Sequence, residues 1–398
     1  MIDCKTFFGF ENKFFEDKNC INTAGEIAGQ SLLWNELGKM LLAKKQDISD
    51  FIKNLEAKYG NLRNIRIIFT GAGSSAFIGE ALAPLIAKSS GIKCEAVHTT
   101  DIVSAPDTVL FEDIPTLLIS FARSGNSPES AGAVQYARKK IKNLYESAIV
   151  CDGSSKLSLI SAEDKKNLIL VMPEGSNDKG FAMTSSVTCM LLAGFALLNY
   201  GKIEEIIKDI SLLSDNAGKS GMYLSAMAQK YAKKTFDRAV YLASGALKGI
   251  AHEGSLKMME LSNGEINAGF DSAAGFRHGP KTVIKNSTLS LHFISNDPFT
   301  FRYDLDLLAE VYREKNKNMI VAVCPDNING VEADDVITLA CDGYGFAADL
   351  CIGINGLLFF QTLAMFKSLE LGIPTDNPSP GGQVNRVVKG VTIYPYEK

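Results

Sequence analysis

The chain has 398 residues, of which 46% are hydrophobic and 22% charged, with 41 Lys+Arg against 45 Asp+Glu. That balance excludes a disordered chain and leaves no basic excess for nucleic acid. The most apolar stretches, around Val187–Leu198 and Leu350–Met365, are short of the ~20 residues of a membrane span or broken by polar residues, and the acidic N-terminus lacks a secretion signal, so a cytoplasmic protein is expected.

In chain order, Thr23 and Glu26 have the spacing of a capping box, and Ile27, Leu32, Leu33, Leu37, Met40 and Leu41 recur at helical spacing up to Lys44. A second helix is expected from Ile48 to Tyr59. Short β-rich runs then alternate with helical ones: IRIIFTG with a helix from Ser75, KCEAVHT, TLLISFA with a helix from Pro128, SAIVCD, LILVMP, and an apolar helix from Thr184. Such alternation predicts βαβ units and a parallel sheet covered on both faces. The order recurs in RAVYLASG with a helix from Leu247, TLSLHFIS with a helix near Asp304, NMIVAVCP, DVITLA and an apolar helix over 345–371. The two series are offset by about 170 residues, which predicts a duplicated α/β domain. The expected division is a helical extension over 1–45, a domain over 46–203, a helical linker over 204–236, a second domain over 237–374 and a tail over 375–398 that packs back.

The eight cysteines form no C-x-x-C pair and read as reduced core residues. His252-Glu253 opens like the zinc-protease pattern, but Leu256 stands where its second histidine belongs. Four other features point to chemistry. Thr70-Gly71-Ala72-Gly73-Ser74-Ser75 joins a strand to a helix, where glycine backbone and helix-end N–H groups suit an anion; a capped turn or a loose dinucleotide fingerprint fits the same residues. Arg123-Ser124-Gly125-Asn126-Ser127-Pro128 also follows a strand, with Ser127 as the expected N-cap. Two serine-rich loops in one domain suit a phosphate. Glu253, Lys257 and Glu260 share one helical stripe bordered by Ile250, Met258, Leu261, Leu256 and Met259, so they are expected in a partly buried cleft, where a desolvated carboxylate suits proton transfer. His278 stands in the glycine- and proline-bounded loop Gly275–Pro280, where an imidazole can reach a ligand.

Together TGAGSS, ARSGNSPES, EGSLKMME and FRHGP resemble the sugar isomerase (SIS) domain family. EIAGQS near the N-terminus, FAMTSS, and VNRVVKGVTIYP at the end resemble more closely its galactosamine-6-phosphate deaminase/isomerase group, also called tagatose-6-phosphate ketose/aldose isomerases. The resemblance runs from Thr23 to Tyr396 and extends to the isomerase half of glucosamine-6-phosphate synthase, without its glutaminase half. It implies two tandem SIS domains, each a mainly parallel sheet between helices, and deamination of an amino-sugar phosphate with no metal or redox cofactor. By resemblance, Gly73, Ser74, Ser75, Arg123, Ser124, Gly125, Asn126 and Ser127 form the sugar-phosphate cradle, and Glu253 and Lys257 match supporting charged residues that bind the substrate. Glu260 is the base, His278 opens the sugar ring from a neighbouring subunit, and Lys389 matches a lysine that forms a Schiff base with a ketose in the synthase. A homo-oligomer, at least a dimer, is implied. Ser244-Gly245-Ala246 lacks the serine-rich pattern, so one cradle per chain is expected. Isomerisation of unaminated sugar phosphates, cleavage of a sugar-phosphate amine adduct, sugar-phosphate sensing without turnover and NAD(P)-dependent redox chemistry are the rival readings.

Overall fold

Strands buried on both faces need a helix layer on each side, and the fully buried run TLLISFA is such a strand. The computed structural model describes residues 6–388 and 390–397. It contains two parallel sheets of five strands. In the first, β1 (Arg66–Thr70), β2 (Cys94–Ala96), β3 (Thr116–Ala122), β4 (Leu144–Val150) and β5 (Leu168–Val171) lie in the order β2-β1-β3-β4-β5. In the second, β6 (Arg238–Ala243), β7 (Asn267–Asp271), β8 (Thr288–Phe293), β9 (Met319–Pro325) and β10 (Asp335–Leu339) lie in the order β7-β6-β8-β9-β10. The two orders are the same, so the duplication read from spacing is a duplication of topology. Register is also comparable: Ile67 pairs with Leu117 and Ala239 with Leu289. In both sheets the strand order reverses beside the first strand, between β1 and β3 and between β6 and β8. The crevice at the carboxyl ends of those strands is where open parallel sheets bind ligands.

The helices used below are α1 (Ile21–Ala43), α2 (Lys45–Tyr59), α3 (Ser74–Ser90), α4 (Pro128–Lys140), α5 (Ser185–Leu198), α6 (Ile203–Ala232), α7 (Leu247–Leu261), α8 (Thr300–Arg313) and α9 (Ala348–Glu370). The chain forms two compact units, each discontinuous in sequence. One holds the first sheet and takes 32–178, 185–210 and the segment from Gly382 on; the other holds the second sheet and takes the segment up to Ser31, 179–184 and 211–381. In the first, Ile68, Leu118, Ala148 and Val150 pack against Ala133, Val134 and Ala137 of α4. In the second, Val240, Leu242, Ile320 and Ala322 pack against Leu307, Leu308 and Val311 of α8. On α7 a Cβ at Gly254 would stand 2.7 Å from the Phe360 ring of α9, so that crossing is close because the residue is glycine.

Four local expectations change. No capping box opens α1: Thr23 lies inside the helix, and Glu26 accepts the N–H groups of Lys179 and Gly180. The cap is Asp376, whose carboxylate accepts the backbone N–H groups of Asn22 (2.9 Å) and Thr23 (2.8 Å). Strand β7 and the short antiparallel ribbon Thr6–Phe7 with Phe10–Glu11 were not expected, since neither carries a long apolar run. Finally, α9 runs 23 residues and is long and apolar enough to cross a membrane, yet 94% of its apolar window is buried inside the protein. The described cysteines are all free.

Candidate functional site

The first crevice is built by two strand-to-helix turns. After β1 the chain turns at Gly71, where a Cβ would stand 2.5 Å from the Ser75 backbone; any other residue would push back the first turn of α3. Gly73 takes the N-cap position with φ +56° and offers no side chain there. Ser74 and Ser75 follow it, both buried. After β3 comes the Arg123–Ser127 loop. The Ser124 hydroxyl accepts the Asn126 N–H (3.3 Å), and the Asn126 side-chain carbonyl accepts the Lys156 N–H (3.1 Å). Gly125 has φ +59° and lies against Ser155, leaving no room for a Cβ. Ser127 occupies the N-cap of α4, but its hydroxyl pairs with that of Ser130 at 2.7 Å and caps no backbone N–H. Both loops thus leave the carboxyl ends of adjacent strands at the point where strand order reverses.

Arg123 is buried, and its guanidinium donates to the Arg386 carbonyl at 2.8 Å. The segment from Gly382 on is tied to this unit at further points. The Arg386 guanidinium donates to the Asp178 carbonyl, the Tyr136 hydroxyl to the Tyr394 carbonyl, and the Tyr396 hydroxyl to Asp107 at 2.6 Å. The Asp178 carboxylate caps α5, accepting the N–H groups of Ser185 (2.9 Å) and Ser186 (3.0 Å). Lys389 lies outside the described residues.

Beside this crevice stands a pair for which the sequence carries no spacing signal. His98 Nε2 lies 2.9 Å from the Glu80 carboxylate, and the next residue, Thr99, donates its N–H to the Gly71 carbonyl at 2.8 Å. The hydrogen bond that His98 donates to the Glu80 carboxylate holds the imidazole above the usual histidine range, against the opposing effect of burial.

The other unit carries the charged stripe. On α7 the Lys257 ammonium lies 3.3 Å from Glu253 and 2.5 Å from Glu260. Lys257 is 0% exposed and Glu253 2%, whereas Glu260 retains 27%. Burial by itself would drive the proton off Lys257. The two facing carboxylates outweigh it and hold the ammonium above the usual lysine range. The expectation of a desolvated stripe therefore holds for Glu253 and Lys257. Glu260 is the member open to solvent, with the exposed Met259 beside it. A carboxylate that is both accessible and fixed by a buried lysine can accept and return a proton without searching rotamers.

His278 follows the short helix Ala273–Phe276, whose N-cap Ser272 accepts the Gly275 N–H at 3.1 Å. The imidazole is exposed, and among the described residues it has no hydrogen-bond partner. No hydrogen bond or ion pair joins it to Glu260 among the described residues. The loop around it is gripped by Glu310 of α8, which takes Arg277 Nε at 2.7 Å and also Lys281 Nζ, one cation on each side of His278. Glu310 escaped notice in the sequence because its partners lie 29 and 33 residues away.

The SIS domain family matches residues 63–200, which include both serine loops. The D-galactosamine-6-phosphate deaminase AgaS of Escherichia coli O157:H7 is 36% identical over 379 residues, covering 94% of this chain and 96% of that one. The chain belongs to the AgaS family. Two solved structures superpose on this AgaS-family chain along nearly its whole length. The tagatose-6-phosphate ketose/aldose isomerase of Escherichia coli has a TM-score of 0.86 at 35% identity, covering 95% of this chain and 97% of its own. A protein of Clostridium novyi NT has a TM-score of 0.94 at 39% identity, covering 98% and 100%.

Proposed function

We propose that the protein converts galactosamine 6-phosphate and water to tagatose 6-phosphate and ammonia. The observation that carries this reading is the accessible Glu260 carboxylate held at 2.5 Å by a buried lysine on a stripe with no other evident use, in a chain of the AgaS family. Phosphate recognition is assigned to the serine loops around Ser74, Ser75, Ser124 and Ser127, and proton transfer to Glu260. Glu253 keeps Lys257 charged, and Lys257 keeps Glu260 in place.

The chemistry follows from the substrate. His278, whose imidazole can both donate and accept a proton, moves a proton between O1 and O5 and opens the pyranose to the aldehyde. The aldehyde acidifies the C2–H, which Glu260 removes to give an enolamine. Glu260 returns that proton to C1, leaving a C2 imine with a C1 hydroxymethyl group. Water adds to the imine, and the C2–N bond breaks to release ammonia and the ketose. This sequence needs no change of oxidation state overall. His278 is exposed and unpartnered among the described residues, which suits a histidine supplied to a second copy of the chain; the working form is then at least a dimer.

Ammonia release from purified protein with galactosamine 6-phosphate, run beside glucosamine 6-phosphate, tests the reading. Ammonia from the galacto sugar alone is the expected result. Silence with both, alongside interconversion of unaminated aldose and ketose phosphates, would replace deamination by simple isomerisation. For the dimer, a mixture of Glu260→Gln and His278→Ala chains should regain activity that neither has alone.

A further inference from the structure

The second sheet repeats the strand order of the first, so it has its own crevice at the carboxyl ends of β6 and β8. Two serines flank it: Ser244 directly follows β6, where Ser74 lies four residues beyond β1, and Ser295 lies two residues beyond β8, as Ser124 lies two beyond β3. In the second crevice these groups already have an occupant. The Ser244 hydroxyl donates to one oxygen of Asp304 at 2.5 Å, and the Ser295 backbone N–H donates to the other at 3.0 Å. The Ser244 oxygen in turn accepts the Ala273 N–H at 3.4 Å. Asp304 projects from α8, is 3% exposed, and forms no salt bridge among the described residues.

A buried carboxylate with no cation is costly. Its own helix does not explain it, because the N-terminus of α8 is capped by Asp297, which accepts the N–H groups of Phe299 and Thr300. What explains its position is the pair of donors at the strand ends, one hydroxyl and one backbone N–H, a donor set that suits any oxyanion. We infer that the Asp304 carboxylate is a resident anion that fills the second strand-end crevice, making it a closed copy of the phosphate cradle in the first. This rests on reading the first crevice as that cradle. It accounts for one chain with two crevices of the same topology offering a single phosphate site, and it assigns the closed crevice a ligand class, a phosphate monoester or inorganic phosphate.

The test is Asp304→Ser, with inorganic phosphate as the probe. Equilibrium dialysis of labelled phosphate counts equivalents per chain, and melting in phosphate against chloride reads stabilisation by mass action. The wild type should bind one equivalent and the variant two, with a larger phosphate-dependent rise in Tm for the variant. A folded variant that still binds one equivalent overturns the inference. So does a variant that fails to fold even in phosphate, because a resident anion should be replaceable by a dissolved one. A wild type that binds none while the variant binds one would remove the first cradle and leave the role of Asp304 standing.

Discussion

Lys257 is the residue on which the charged stripe depends. Two carboxylates face it, one of them as buried as the ammonium itself. Removing the cation deprives the buried Glu253 of the Lys257 ammonium that faces it, so Lys257→Met should destabilise the fold by about 3–5 kcal/mol. Adding Glu253→Gln should return part of that loss. Urea unfolding of the single and double variants measures both, and a Lys257→Met protein as stable as wild type would mean that the ion pair is open to water. Glu260 behaves differently because it keeps contact with solvent. Glu260→Gln preserves size and the reach toward Lys257 but cannot take a proton. It should lower kcat on the order of a hundred- to ten-thousand-fold with KM nearly kept. Ser75→Ala or Ser124→Ala should do the reverse, raising KM with a modest change in kcat. Steady-state kinetics separate the two patterns, and a KM effect at Glu260 with normal kcat would move the base elsewhere.

At the scale of elements, what the sequence reveals depends on where each element finds its partners. The central strands are legible because burial on both faces favours mainly apolar residues: β3 is buried along its whole length and β8 likewise. The edge strand β7 is not legible, since Ala268 alone of Asn267–Asp271 is buried and the run looks like a loop. Spacing on α7 predicted the Glu253–Lys257–Glu260 stripe because i, i+4 and i+7 contacts are local. The start of α1 was misread for the opposite reason. Thr23 and Glu26 have the spacing of a cap, but the carboxylate that does the capping lies 353 residues away. Asp376 accepts the Thr23 hydroxyl at 2.7 Å and the Asn22 amide at 2.9 Å besides the two backbone N–H groups. Asp376→Ala should therefore cost about 1–2 kcal/mol or somewhat more, with faster hydrogen exchange in the first turn of α1. Unchanged exchange at Asn22 and Thr23 would show that another group caps the helix.

Across the whole molecule, one topology is used twice with different chemistry at the strand ends. The first sheet keeps serines and glycines there and ties its loop to the segment carrying Arg386. The second sheet closes the same place with Asp304 and puts its charged chemistry on α7. Closing a crevice with a carboxylate has a signature in pH. Burial pushes the Asp304 carboxyl up to about 6 from an ordinary 3.8, with the bonds from Ser244 and Ser295 only partly offsetting it. The folded chain therefore holds this proton more tightly than the unfolded one. Its contribution to stability is present below about pH 4 and is lost as pH rises through about 6, by about 3 kcal/mol in all. Asp304→Asn keeps the shape and cannot ionise, so it escapes that loss. Comparing the two proteins removes every other titrating group from the account. Hydrogen exchange at the amides of β6 and β8, read near pH 4 and again near pH 7, should show the asparagine variant gaining protection relative to wild type as pH rises. A gap that stays level across that range would mean that water reaches the carboxylate and that the second crevice is open.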